Sequence, residues 1–398
     1  MALNDFKPHF DNAYQEIFQK VLVSKKIANM RFKSVLTYGE SIERVAYDID
    51  SVLVRDTARG SASTIDSITD SSELLTINLE KEATFHLSDG EMKQAGPLNP
   101  GTIIGGKVAH KVATDFDARV FAQIPNADNN FDTGDLTTLT STGTPITLST
   151  TTVPQMVTRM SAKLRANNQL LTNLAFVVDS YGAAEMNEYL LTKNIDLAGS
   201  VYANGYSGQV DNAEVYVSEN LTGSGVLSIA TIPTTAHDVV TINGVAFTFV
   251  TSIGTDAGNV LIGGSADAAR LNLTTLINAP GTTTAQGVAV SVADQALLAD
   301  MTAVNSAVAD TMTLTAIGSG TLTLAETFTD GTDAWTHNYI NCYFGKKGGI
   351  DAVMQDMKDV DVRETSDRRG SNIFSSYLAG IKTFADGAKK FLNVKIAR

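Results

Sequence analysis

Cysteine is nearly absent: Cys342 is the single one in 398 residues, so neither an internal disulfide nor a multi-cysteine metal site can form. It stands in an apolar run, YINCYF at 339–344, where a buried and inert thiol is expected. No stretch approaches the ~20 continuous apolar residues that a membrane helix needs. The opening MALNDFKPHFDNAYQ lacks the basic region and apolar core of a secretory signal, so a soluble cytoplasmic product is expected. Basic charge is short as well. Lys and Arg number 30 against 43 Asp and Glu, a net charge of -13, which opposes a general nucleic-acid-coating role.

Signatures of catalysis are also missing. The histidines at 9, 86, 110, 237 and 337 are scattered, with no pair at metal-ligand spacing. There is no Gly-x-Ser-x-Gly elbow and no cysteine motif. The run GTIIGGKV at 101–108 nearly spells a phosphate loop. Val108 replaces the hydroxyl that would hold magnesium, and PLNP at 97–100 stands where a buried strand should be, so these glycines are expected to start a helix. Asp128 to Thr133 mimics the start of a calcium loop, but Thr133 holds the required glycine position and Leu139 the closing glutamate position. An enzyme, a cofactor and a metal site are therefore not expected.

What is present is a change of period along the chain. Ala13–Ile27 has Tyr14, Ile17, Phe18 and Leu22 near helical spacing. Val45–Val54 and Leu74–Phe85 alternate instead, with Leu75, Ile77 and Leu79 opposite Thr76, Asn78 and Glu80. With a polar tip from Arg55 to Ser72 between them, they predict a long two-stranded arm. A lone ribbon is marginal in water, so it is expected to lie on its own domain or across a neighbouring subunit.

Ile104, Val108, Val112, Phe116 and Val120 then recur every four residues, predicting a long helix that ends by Pro125. A Thr-rich connector at 126–152 precedes a helix over 153–171, a strand over 174–178, a helix over 181–191 and a strand over 214–217. From Gly223 to Trp335, Thr, Ala, Gly and Val dominate. No lysine occurs between Lys193 and Lys346, and Arg270 is the only arginine there. This segment predicts a hairpin around Asn243-Gly244, a helix over 267–278, and strands over 288–292, 311–317 and 321–327. Beyond it come a strand at 339–344, a helix over 350–358, a strand over 360–363, and a hairpin of 373–384 with 389–396 around Asp386-Gly387.

In this order the elements resemble the Hong Kong 97 (HK97) capsid fold of tailed-phage major coat proteins. VLVRDTARG at 52–60 with LTINLEKEA at 75–83 is similar to the family's extended loop, and 108–122 to its spine helix. AFVVD at 175–179, EVYVS at 214–218, VDVR at 360–363 and the stretch 371–396 resemble its axial and closing peripheral strands. The resemblance covers 1–222 and 336–398. It implies an α+β, HK97-like chain: an N-terminal arm (1–44), an extended β-hairpin loop (45–100), and a spine helix with peripheral domain (101–152). An axial domain follows (153–222), returning at 336–359 after a β-rich insertion domain (223–335), and peripheral strands close the chain (360–398).

The resemblance further implies a homo-oligomer of pentamers and hexamers forming an icosahedral head, with a separate scaffold protein and a portal. Double-stranded DNA would be packaged without sequence-specific contact, no membrane would be involved, and an acidic wall would avoid sticking to phosphate. Too few residues precede the arm for the long scaffold segment of the best-known member, and no cross-linking Lys–Asn pair can be assigned, so neither is expected. Assembly contacts are expected at Arg55, Asp56 and Arg59 on the arm tip, at Lys81 and Glu82, and at Arg363, Arg368 and Arg369, where bases mix with acids. Two alternatives stay open: an encapsulin-type compartment shell, and a tail-tube or adhesin-like binding protein suggested by the Thr- and Gly-rich segment.

Overall fold

Turn chemistry and side-chain period account for most elements of the computed structural model. It describes residues 22–30, 41–48, 52–56, 59–60, 62, 65–66, 69–88, 90, 100–193, 209–210, 213–233, 238–318, 320–329, 331–364 and 369–398. In chain order these are α1 (Ser24–Ile27), β1 (Ser41–Asp48), β2 (Thr69–Thr76), β3 (Leu79–Leu87), α2 (Pro100–Phe121) and β4 (Asn129–Phe131). Next come α3 (Thr152–Ala166), β5 (Leu174–Val178), α4 (Ser180–Lys193), β6 (Gln209–Val210), β7 (Ala213–Val217), β8 (Thr222–Ser228), β9 (Val239–Ile242) and β10 (Val245–Val250). Then follow β11 (Asn259–Leu261), α5 (Ala266–Asn278), α6 (Val292–Leu297), β12 (Met301–Ser306), β13 (Thr311–Ala316) and β14 (Leu324–Glu326). The last are β15 (Ala334–Lys346), β16 (Asp351–Glu364), β17 (Ser371–Lys382), α7 (Ala385–Ala388) and β18 (Phe391–Ala397). The chain divides into two compact units, 1–113 with 347–390, and 114–346 with 391–398.

In the first unit β1 and β2 pair antiparallel, from Ser41 opposite Thr76 to Asp48 opposite Thr69. The expected strands need correction here. β1 ends at Asp48 and 52–56 are irregular, whereas Thr69–Ser72, expected in the tip, belong to β2. The run from Leu74 to Phe85 is two strands in two sheets: β3 pairs with β17, Leu79 opposite Ala379. Alternation runs straight through the break, with Leu75 and Ile77 buried and Thr76, Asn78 and Glu80 exposed. Period alone therefore could not reveal the change of partner. Of the helix expected over 13–27 only its end is described, as α1; the rest lies outside the described residues.

The segment expected as a helix over 350–358 is the first part of β16, which pairs with β17. Ile350, Val353, Met354 and Met357 mimic helical spacing. The cause is burial on both faces, since Ala352, Val353 and Met354 are all covered, and a doubly covered strand loses its alternation. The tail hairpin is also overturned: β17 pairs with β16 and β3, while β18 pairs with β15 and β4. Asp386-Gly387 lies in α7. Gly387 is needed because a Cβ there would lie 2.3 Å from the Gly349 carbonyl oxygen. By contrast Asn243 and Gly244, at φ 50° and 86°, make the two-residue turn between β9 and β10.

The second unit holds a nine-stranded sheet in the order β12-β13-β8-β15-β5-β7-β6, with β18 and β4 joined through β15. Strand β5 matches the expected 174–178, and α3 ends at Ala166, short of Leu171. Strands β7 and β15 do not pair; β5 lies between them. The ends of the 223–335 segment nonetheless meet, because Gly223 stands opposite Ile340 and Ser228 opposite Ala334. Residues 288–292 form no strand; the nearest pairing is an isolated bridge of Gly287 to Val260. A second sheet, β11-β10-β9-β14, encloses with α5 and β12–β13 a core including Phe247, Phe249, Leu273, Met312 and Leu314. Every member of that core lies between Leu227 and Trp335.

The calcium-loop mimic resolves into a cap. Buried Asp132 accepts hydrogen bonds from the backbone N–H of Gly134 (3.0 Å), Thr142 (3.0 Å) and Gly143 (2.7 Å), and from the hydroxyls of Ser141 and Thr142. Its own N–H donates to Asp135 at 3.0 Å, and Lys163 pairs with Asp135 at 2.5 Å. The carboxylate is saturated by protein donors. Burial alone would push the Asp132 carboxyl up, but the Ser141 hydroxyl and the three N–H donors outweigh it and hold the carboxyl below its usual range. A lowered carboxyl adds stability above the unfolded value of about 3.9, and that stability vanishes as pH falls through the folded value. Asp132→Asn should therefore lose about 2 kcal/mol at pH 7, and its deficit against the parent should be smaller at about pH 3, below the unfolded value. Denaturant melts at both pH values check this; parallel pH profiles for parent and variant would contradict it.

Candidate functional site

The exposed arm is the part of the first unit that its own core does not explain. Residues 52–56 and 65–66 lie between β1 and β2. Val54 is 103% and Ile65 91% exposed, with Leu53 and Val52 beside them in the open. Apolar side chains gathered on an exposed tip mark an interaction surface. The tip has internal order. Arg55 donates to both Asp66 carboxylate oxygens, at 2.8 and 2.7 Å, and the Leu53 N–H donates to Asp66 at 3.0 Å. The Arg55 contact first, then the Leu53 N–H, hold the Asp66 carboxyl below its usual range. Arg55, expected as an inter-subunit ion partner, is thus engaged within its own chain and pins the loop that presents the apolar residues.

At its base the arm rests on its own unit. Leu75 and Ile77 pack with Val353 and Phe384, flanked by Ile42 and Leu378. Arg44 on β1 contacts Asp386 at 2.6 Å and Asp351 at 3.6 Å. Asp351 also accepts from the Asn29 amide at 2.6 Å. Burial pushes the Asp351 carboxyl up, opposed by that amide and by the Arg44 charge. Nothing in the sequence pattern pointed to Arg44, Asp351 or Asp386, because residues 44 and 351 become neighbours only through the fold.

The other expected contact residues are dispersed. Asp56 and Arg59 are exposed on the loop. Lys81 and Glu82 lie on β3 opposite Tyr377 and Ser376, with Glu82 exposed and Lys81 half-buried. Arg363 stands opposite Asn372 on β16, Arg369 is exposed before β17, and Arg368 lies outside the described residues. These positions do not converge on one intrachain site. Among the described residues no group of three His, Cys, Asp or Glu could hold a metal, and no helix is long and apolar enough to cross a membrane. Cys342 is wholly buried; burial, then the Asp179 charge, push its thiol far up, so it is no nucleophile. The run at 101–108 is helical throughout, as expected, with Pro100 at the first position where its missing N–H does no harm.

No family model and no curated protein sequence matches the chain. Solved structures do. A structure from Mycobacterium phage Che8 superposes with a TM-score of 0.50 at 12% identity, over 93% of this chain and 90% of that one. The capsid of Cyanophage P-SCSP1u aligns at 10% identity over 91% and 84%, with a TM-score of 0.46. The mature capsid of bacteriophage PhiM1 aligns at 11% over 90% and 82%, also at 0.46. Identity this low speaks to fold alone. The mixed α+β architecture, with several sheets and few helices, aligns over most of its length with the Che8 phage structure and places this chain in the HK97-like fold.

Proposed function

We propose that the chain is the major shell subunit of a tailed-phage head, assembling as pentamers and hexamers around double-stranded DNA. The observation that carries this reading is the arm. Its tip presents Val52, Leu53, Val54 and Ile65 to solvent on a loop held by Arg55 and Asp66. A monomer gains nothing from such a tip, whereas a neighbouring copy could bury it. Each aliphatic side chain fully covered would contribute roughly 1.5–3 kcal/mol, and a shell multiplies the contact by symmetry. Scaffold and portal are partners of this proposal, and the virion is its place of action.

Expressed with its scaffold protein, the chain should form hollow shells visible by electron microscopy. Replacing residues 49–68 with Asn-Gly would close β1 and β2 by a two-residue turn and keep the base intact. That variant should melt like the parent yet fail to close shells. Shells of normal size from it would remove the arm from the assembly contacts.

We also propose that residues 223–335 are an inserted module projecting from the outer face of the shell. Support comes from a core drawn from that segment alone and from ends that pair with each other. A segment of this length falls within the usual domain size. Because β8 pairs with β15 as far as Thr222 opposite Asn341, the fragment to express is 222–341. It should melt cooperatively and give dispersed amide signals. A disordered spectrum, or density for it on the inner wall of a reconstructed shell, would sink the idea.

A further inference from the structure

Several contacts converge where the arm joins the first unit, and together they act as a clamp. Arg44 and Glu73 are cross-strand partners on β1 and β2. Each reaches a different part of the turn after β17. The Arg44 guanidinium lies 5.1 Å from the Phe384 ring centre and donates to Asp386 at 2.6 Å. Glu73 accepts the Ala385 N–H at 3.0 Å. The Lys382 ammonium donates to the Leu74 carbonyl at 2.9 Å and lies 5.5 Å from the Phe384 ring centre. Lys390 meets Asp386 at 3.2 Å from the other side. A Cβ on Gly380 would lie 2.6 Å from the Thr76 carbonyl oxygen, so β2 crosses β17 at backbone distance. Apart from Lys390–Asp386 and Lys382–Phe384, each of these contacts involves Arg44 or residues Glu73–Thr76, in the half of the ribbon away from its tip.

We infer that Arg44, held over Phe384 between Asp351 and Asp386, is the positioning residue that fixes the direction in which the arm leaves the subunit. The inference rests on the shell reading only for its consequence; the clamp itself is a property of the single chain. A two-stranded ribbon has little intrinsic stiffness in its exit angle. An apolar cluster is non-directional and would allow the ribbon to pivot about Leu75. A guanidinium bonded to one carboxylate and close to a second removes that freedom, because its planar donors fix angle as well as distance. The subunit would then reach assembly with its arm already aimed, and less ordering entropy would be lost on contact. Asp351 makes the arrangement hard to replace. Its carboxylate is almost wholly buried, meeting the Asn29 amide at 2.6 Å and the Arg44 guanidinium at 3.6 Å with the Lys390 charge also acting on it, so a neutral residue at 44 weakens the compensation of a buried charge.

The test compares Arg44→Gln and Arg44→Lys with the parent, first as unassembled subunits and then in assembly with scaffold. Hydrogen exchange at amides 72–77 should quicken roughly tenfold in Arg44→Gln, with the melting transition of the second unit unmoved. Arg44→Lys keeps the charge without the planar fork and should fall between. In assembly, Arg44→Gln should yield open or variably sized particles where the parent yields uniform ones. If Arg44→Gln fails to fold, Asp386→Asn, which alters only the exposed side of the clamp, gives the same two readouts. Unchanged exchange, or uniform parental shells from both Arg44→Gln and Asp386→Asn, would overturn the clamp. A parent that makes no shells while Arg44→Gln still quickens exchange would overturn the shell reading and leave the clamp standing.

Discussion

Strand β15 is the constraint on which the second unit depends. Its 13 residues pair with β8 along the first part, with β5 along the last, and with β18 from Tyr339 to Gly345. Residues Tyr339–Gly345 are also all buried, so packing covers both faces of this stretch. Tyr343 stacks on Phe391 with ring centres 4.7 Å apart, and Phe344 meets Phe176 edge-on at 5.9 Å. Asn341 is the one amide side chain in this stretch, and it donates to the Thr222 carbonyl and the Ser224 hydroxyl. That satisfied amide fixes the register against β8, since a slip by one residue would bury it unpaired. Because β8 opens the 223–335 segment and β15 closes it, the same register sets where that segment is attached.

The elements legible in the sequence are those whose signal is local. Asn243-Gly244 names its own turn, the spacing of Val112, Phe116 and Val120 names its own helix, and the unbroken run at 174–178 names a buried strand. Elements were misread where a local signal was real but answered a different demand. Gly387 avoids a carbonyl rather than making a turn. Val353 and Met354 sit at helical spacing because both faces of β16 are covered. The strand β12 passed unnoticed, since Thr302, Val304 and Asn305 interrupt its apolar pattern. Its outer edge explains them in part: Asn278 on α5 exchanges two hydrogen bonds with the backbone of Ala303, at 2.7 and 2.9 Å, and so blocks further pairing there.

Of the candidate site, the tip was visible and the base was not. The tip was visible as a polar stretch from Arg55 between two alternating runs, whereas Val52, Leu53 and Val54 were read into the strand before it and are exposed only in the structure. Arg44, Asp351 and Asp386 are ordinary residues at ordinary positions until the fold gathers them. They lie more than 300 positions apart in the chain for the closest pairing with Arg44. The contrast has a physical basis: a surface meant for a partner must differ from its surroundings, whereas an internal clamp need only be complementary to the residues it meets.

Charge in the 223–335 segment carries the same logic further. Arg270 is its only Lys or Arg, and that residue is wholly buried. Its guanidinium donates to the Ile229 carbonyl, to Asn305 at 3.1 Å, to Asp267 at 3.3 Å and to Asp310 at 3.0 Å. Such a residue ties α5 to the β12–β13 hairpin, and its charge is spent inside the fold. Asp267 and Asp310, each about half exposed, neutralise it from the rim. The surface of the segment is therefore left with acids and no Lys or Arg of its own to oppose them, although Arg119 of α2 meets Asp300. Such a surface repels phosphate at any range that salt does not screen.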